Sequence, residues 1–242
     1  MPADQSPTRF QPLYVQVKEH LLTRIVEGYW LPGSLLPSEN QLAAELGVSQ
    51  GTVRKALDEM TAEKVVVRRQ GRGTFVSEHT QEQALFHFFR LADAEGVSPA
   101  PSSDVISVTE REATPDEVAK LELKRGEQVS LIERVRLLAE QPVVLETVVL
   151  SCADFPNIAA QQPLPNTLYT LYQSKYGVSI LTAKESITAV LADDYDKTFL
   201  KVPVGSPLLQ IERLAFSIDG RPVELRYSRC LTDQYSYQIE LT

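Results

Sequence analysis

The chain has 242 residues, of which 43% are hydrophobic, 23% charged and 7% aromatic, with a formal net charge of −8; this is the composition of an ordinary folded protein long enough for two cores. No apolar run approaches the roughly 18–20 residues of a membrane span, residues 1–6 form neither a basic nor an apolar leader, and Cys152 and Cys230 match no metal or redox spacing. The expectation is a cytoplasmic protein with reduced thiols, no resident metal, no cofactor and no membrane contact. The net charge hides an asymmetry: residues 1–76 sum to +1 and the remainder to −9, while Arg68, Arg69 and Arg72 crowd into five positions. An acidic body with a locally basic head suits a protein that touches nucleic acid with one end.

Pro12 is suited to the first turn of a helix, and Leu13, Val17, Leu21 and Ile25 then recur at helical spacing up to Gly28. After the turn at Leu31-Pro32-Gly33-Ser34, the run Ser38-Glu39-Asn40-Gln41 reads as a capping box. The helix it opens carries Leu42, Ala43 and Leu46 and ends at Gly47. Ser49 caps a longer helix burying Val53, Ala56, Leu57 and Met60. Two capped helices joined by a few residues read as a helix-turn-helix. Behind them, 65–69 and 73–76 are β-rich runs around Gln70-Gly71-Arg72, which signals a hairpin. Helix, helix-turn-helix and hairpin in that order make a winged helix, whose second motif helix enters the major groove of DNA. The candidate DNA contacts are Ser38, Asn40, Ser49, Gln50, Thr52, Arg54 and Lys55, with Arg69, Gly71, Arg72 and Gly73 in the wing.

Leu36-Pro37-Ser38-Glu39, Leu42-Ala43, Val48-Ser49, Thr52-Val53-Arg54-Lys55-Ala56-Leu57 and 70–76 together resemble the head of the GntR family of bacterial regulators, over about residues 10–76. The resemblance implies binding to double-stranded, palindromic operator DNA as a homodimer. Family members usually carry arginine where this chain has Asn40, and very often where it has Gln50, so the operator sequence is expected to differ. Glutamine at the start of a recognition helix matches adenine, where arginine favours guanine.

Residues 77–84 are polar and aperiodic and read as a linker. Beyond them, β-rich runs at 104–108, 129–138, 143–150, 187–191, 208–218 and 223–231 alternate with helices starting at Thr114-Pro115-Asp116, near Thr167 and near Asp193-Asp194. A repeat aligns the run from Gly126 with that from Gly205; both pass through Ile-Glu-Arg and lead to Pro-Val, at Pro142-Val143 and Pro222-Val223. The expected fold class is α+β, with an antiparallel sheet and helices packed on it over residues 85–242. Strand alternation puts Arg134 and Arg136 on one face, Glu146 on the same face as Val144 and Val148, and Glu224, Arg226, Ser228 and Cys230 together. Charges on an apolar strand pattern line either a salt-bridge lattice or a pocket.

Ile132-Glu133-Arg134-Val135-Arg136, Pro142-Val143, Leu145-Glu146, Thr167-Leu168-Tyr169, Tyr176-Gly177 and Asp233-Gln234-Tyr235 resemble the UTRA effector-binding domain of the HutC subfamily, a chorismate lyase-like fold. The resemblance implies a small anionic effector, such as a sugar phosphate, phosphonate or carboxylate, held by Arg134, Arg136, Glu146, Thr167, Tyr169 and Glu224, with dimerisation through the same domain. Cys230 stands where members often have tyrosine, and is the remaining candidate effector contact. An enzyme is the rival reading, but His20, His79 and His87 sit beside no nucleophile motif and no phosphate loop or metal cluster is present. A second rival is a ligand-independent dimeric DNA-binding protein. Phe86, Phe88 and Phe89 read as core of the second domain rather than as a base-stacking platform.

Overall fold

The structure, a computed structural model, describes residues 11–78, 90–97 and 101–239, and the chain forms two compact units, Met1–Glu78 and His79–Thr242. Most of the expected linker, with His79, Phe86, His87, Phe88 and Phe89, lies outside the described residues.

In the first unit, α1 (Leu13–Val26), α2 (Glu39–Leu46) and α3 (Gln50–Ala62) precede a hairpin of β1 (Val66–Arg69) and β2 (Gly73–Val76). The two motif helices start where a side chain satisfies N–H groups that have no partner within the helix. The Gln41 N–H donates to Ser38 Oγ at 3.3 Å and the Ser38 N–H to Gln41 Oε1 at 2.9 Å, while the Thr52 N–H donates to Ser49 Oγ at 3.1 Å. Pro12 stands one place before α1 rather than inside its first turn, with ψ of 142°, and Leu13 is exposed. The buried stripe begins at Val17 and continues through Leu21 and Ile25; α1 packs on α3, which buries Val53, Ala56, Leu57 and Met60, and α2, with Leu42 and Ala43 buried, packs on α3 as well. Gly47 closes α2 at φ 65°, a conformation costly for a residue with a Cβ, and so fixes the tight turn into α3. The approach to α2 also braces the wing: Leu35 bridges Phe75, and the Leu36 N–H donates to the Thr74 carbonyl at 2.8 Å.

The second unit contains a six-stranded antiparallel sheet in the order β4-β5-β6-β9-β8-β7. Its strands are β4 (Ser102–Glu112), β5 (Gln128–Leu138), β6 (Gln141–Ser151), β7 (Ile180–Leu191), β8 (Pro207–Ser217) and β9 (Pro222–Cys230). The order reads the same from both edges, as the sequence repeat requires: each half is an edge strand, a short helix and a hairpin. The helices are α4 (Pro115–Lys120), capped by Thr114, and α6 (Asp194–Leu200), capped by Asp193. Between the halves comes α5 (Leu168–Tyr176), which ends at Gly177. The edge strands β4 and β7 are longer than the apolar runs at 104–108 and 187–191. Apart from the buried Ile180, their flanking residues are exposed or half-buried and largely polar, which hides them from a hydrophobic reading. A two-stranded sheet of β3 (Leu91–Ala92) and β10 (Ser236–Tyr237) has no such signal in the sequence.

Both faces of the central strands are covered. Val129, Val149 and Leu225 pack with Ala113 and Leu121 beside α4, and Val135, Leu145 and Leu208 pack with Ala192 and Leu200 of the α6 region. On the opposite face α5 lays Leu168, Tyr169 and Tyr172 against Ile132, Val148 and Leu150. Each buried side chain of this size contributes about 1.5–3 kcal/mol. Trp30 is the only tryptophan and is buried in the head, so urea unfolding followed by its fluorescence reads that unit. Leu57→Ala removes a side chain that is 1% exposed and is expected to lower the stability of the head by about 2–5 kcal/mol; an unchanged midpoint would contradict its packing.

Candidate functional site

Two surfaces carry the chemistry anticipated above. In the head, Asn40, Gln50, Arg54 and Lys55 are exposed on the helix-turn-helix, and Gly71, Arg72 and Gly73 form the exposed tip of the hairpin. Several of these side chains are already engaged. Ser38 Oγ is bound within the capping box and Ser49 Oγ lies 2.8 Å from Thr52 Oγ1. Lys55 Nζ stands 3.8 Å from the centre of the Tyr14 ring, and the Arg69 guanidinium lies over Phe75 at 4.7 Å. Arg54 donates from Nε to Glu39 Oε2 at 2.9 Å, and the same oxygen accepts from Gln50 Nε2 at 3.2 Å. Arg68, outside the expected set, places Nη1 2.6 Å from Asp58 and Nη2 3.5 Å from Glu39. The sequence reading used Glu39 only as part of a cap and missed its contacts to α3 and β1.

In the second unit, the sheet face beneath α5 forms a half-open cavity of about 50 Å³, several times the roughly 10–15 Å³ that one water needs. Arg134, Arg136, Glu146, Thr167, Tyr169 and Cys230 all line it. Register explains the meeting: Arg134 is opposite Glu146 and Arg136 opposite Val144, while Val144 in turn faces Cys230 and Glu146 faces Ser228. Arg134 Nε donates to Glu146 Oε2 at 2.6 Å, Arg136 Nη1 lies 3.8 Å from that oxygen, and Arg226 Nη1 lies 3.5 Å from Oε1. Both arginines of β5 also reach the Asn166 carbonyl, at 3.2 Å and 3.4 Å.

Glu224, expected to hold the effector, lies behind the wall and is fully buried. Arg226 grips it with Nε on Oε1 at 3.0 Å and Nη2 on Oε2 at 2.8 Å, and the hydroxyls of Tyr169 and Tyr172 donate to the same two oxygens at 3.0 Å and 2.8 Å. Arg226 and Ser228, placed by strand alternation on the same face as Cys230, also line the cavity, as do Arg213, Asn166, Arg90 and Tyr237, which were not among the expected residues. Arg213 was within reach of the sequence, since it is the repeat mate of Arg134. It donates from Nε to Glu185 at 2.6 Å, and Glu185 also accepts from the Tyr237 hydroxyl.

The electrostatics follow from this crowding. Burial works to raise the Glu146 carboxyl, but Arg134, Arg226 and Arg136 outweigh it and hold it well below the usual carboxylate range. Burial lowers the Arg136 guanidinium, and repulsion from Arg134, Arg226 and Arg213 adds to the effect against the attraction of Glu146. Burial raises the Cys230 thiol, which stays neutral and acts as a small apolar group. Val144, Ile211, Cys230 and Leu91 form an apolar flank to the charged end. Thr167, which precedes α5, makes no side-chain cap to that helix, whose first residues look onto the cavity. Among the described residues no helix is long and apolar enough to cross a membrane, and no cluster of His, Cys, Asp and Glu is placed to hold a metal.

Residues 13–76 match the bacterial regulatory proteins of the gntR family, and residues 98–236 match the UTRA domain. The histidine utilization repressor of Pseudomonas putida is 34% identical over 208 residues, covering 85% of this chain and 83% of that protein. The HTH-type transcriptional repressor NagR of Bacillus subtilis (strain 168) is 29% identical over 234 residues, covering 96% and 95%. The crystal structure of the ligand-binding domain of a GntR-family transcriptional regulator from Bordetella bronchiseptica is 30% identical, with a TM-score of 0.60 over 64% of this chain and 98% of that one. With a winged-helix head, a UTRA domain and relatives of this length and likeness, the chain belongs to the GntR family and is a DNA-binding transcriptional repressor rather than an enzyme.

Proposed function

We propose that the protein acts as a homodimer, with each head on one half of a palindromic operator, and that a small anion in the UTRA cavity releases it. The observation that carries this reading is an excess of buried positive charge. Arg134, Arg136, Arg213 and Arg226 converge with Arg90 on one cavity, against the carboxylates of Glu146, Glu185 and Glu224. Buried guanidinium groups repel one another unless an anion joins them. An oxyanion at the Arg134–Arg136 end gains charge-assisted hydrogen bonds worth about 1.5–3 kcal/mol each. The start of α5 adds the favourable end of a helix dipole.

The rest of the cavity selects the body of the ligand. Val144, Ile211, Cys230 and Leu91 favour carbon over hydroxyl groups on that flank. The small volume favours a compact carboxylate, phosphonate or short sugar phosphate. Glu224 acts here as a positioning residue: it fixes Arg226, which in turn braces Glu146. Cys230 in place of a larger residue widens the apolar flank and leaves the arginines in place.

DNA contact by the head is tested on the operator by gel shift. Arg54→Ala is expected to weaken binding at least tenfold through loss of a base contact, and Arg72→Ala to lower both affinity and the slope of its salt dependence. Unchanged affinity in a folded Arg54→Ala protein would remove α3 from the interface. The cavity is tested by thermal shift against inorganic phosphate and a panel of small carboxylates, phosphonates and sugar phosphates. Arg136→Gln is the variant of choice, because Arg136 stands 3.8 Å from Glu146 whereas Arg134 holds it at 2.6 Å, and breaking that closer buried pair costs about 3–5 kcal/mol. At least one anion is expected to raise the transition temperature of the wild type and not that of Arg136→Gln; equal shifts in both proteins would place the anion elsewhere.

A further inference from the structure

We propose that Glu39 sets the base preference of the head, by fixing which edge of Arg54 and which end of Gln50 face the DNA. This rests on the reading that α3 enters the major groove. Glu39 is the first residue of α2, its side chain is 23% exposed, and its carboxylate joins three elements. Oε2 accepts from Arg54 through Nε at 2.9 Å and Nη2 at 2.8 Å, and from Gln50 through Nε2 at 3.2 Å. Oε1 lies 3.5 Å from Arg68 Nη2 on the wing strand. The Arg54 hydrogen bond is the largest influence on the Glu39 carboxyl and lowers it below its ordinary value, so it stays ionised at neutral pH.

The geometry restricts both readers. A guanidinium has five N–H groups in a fixed fork. With the Nε–Nη2 edge of Arg54 on Glu39, the outward end formed by the two Nη groups remains for a base, which suits guanine O6 and N7. Its side-chain freedom is lost before DNA arrives, so binding has less ordering to supply. Gln50 is constrained in the opposite sense. Its NH₂ group turns towards Glu39, so Oε1 is left as an outward acceptor. Adenine N6–H₂ donates to that oxygen, and the second amide hydrogen suits adenine N7; guanine presents two acceptors there and is rejected. The same carboxylate repels the phosphate backbone and penalises contacts that carry no sequence information. Glu39 thereby couples a guanine reader to an adenine reader four residues apart on one helix.

Binding-site selection from random duplexes, with gel-shift competition against non-specific DNA, tests the idea on wild type, Glu39→Gln and Glu39→Asp. Trp30 fluorescence checks that each variant is folded. Glu39→Gln is expected to select degenerate bases at the two positions, and its ratio of operator to non-specific affinity to fall about tenfold or more, with non-specific affinity equal to wild type or higher. Glu39→Asp keeps the charge but withdraws the oxygens by one methylene, and is expected to relax the same two positions; it carries the test alone if Glu39→Gln is unfolded. An unchanged motif overturns the proposal, whether affinity is unaltered or falls uniformly over all sequences, since the latter is the mark of a purely structural tie. Arg54→Ala in the same assay separates the two levels: if its operator affinity and motif match wild type, α3 does not read the groove and the underlying reading fails.

Discussion

One buried carboxylate organises the charged sheet face of the second unit. Glu146 is 3% exposed and lies within 4 Å of guanidinium nitrogens from Arg134, Arg136 and Arg226. Two of these come from β5 and the third from β9, so a single side chain on β6 ties together the strands on either side of it. Removing charge from water costs several kcal/mol per ion unless the partners are close and well aligned. Here Glu146 and its arginines stand beside the apolar Val144, Ile211 and Cys230, and together they line the cavity. The three guanidinium groups hold the Glu146 carboxyl well below the usual carboxylate range against the effect of burial.

The internal repeat explains why the charge is unbalanced. Each hairpin supplies an arginine at the same place, Arg134 in one half and Arg213 in the other, but their partners differ: Arg134 meets Glu146 across the ladder, and Arg213 meets Glu185 of the edge strand. Arg226 occupies the position in the second hairpin that Glu146 occupies in the first. A carboxylate in one copy and a guanidinium in the other draw the two halves together, since Arg226 Nη1 stands 3.5 Å from Glu146. The repeat mate of Arg136 is Ala215, and Arg136 is the guanidinium whose ionisation burial and its cationic neighbours disfavour. On the proposed reading, an anion relieves that repulsion directly.

What the sequence made legible was local. Caps at Ser38, Ser49, Thr114 and Asp193 act over three residues and mark helix starts wherever they occur. Period-two alternation placed Arg134 with Arg136 because strand geometry allows nothing else. Features that depend on distant partners stayed hidden. Glu39 looked like part of a cap, yet its oxygens serve residues up to 29 positions away. Glu224 shares a face with Arg226, Ser228 and Cys230, but two tyrosines of α5 and Arg226 close over its carboxylate, and no spacing rule foretells that. Arg213 is the instructive omission: the repeated Ile-Glu-Arg marked it, and only the folded sheet shows that both copies point into one space. The edge strands were shortened because solvent on their flanks removes the apolar signal.

Control of DNA binding by a ligand in the cavity, as proposed, requires that ligand and operator oppose each other, because a ligand with equal affinity for both states shifts nothing. Linkage makes that opposition reciprocal. The most direct measurement is a calorimetric titration of the protein with the anion that stabilises it most, in the absence and presence of saturating operator duplex. The affinity is predicted to fall in the presence of operator by the same factor by which the anion lowers operator affinity; equal affinity with and without operator would contradict control of DNA binding through the cavity.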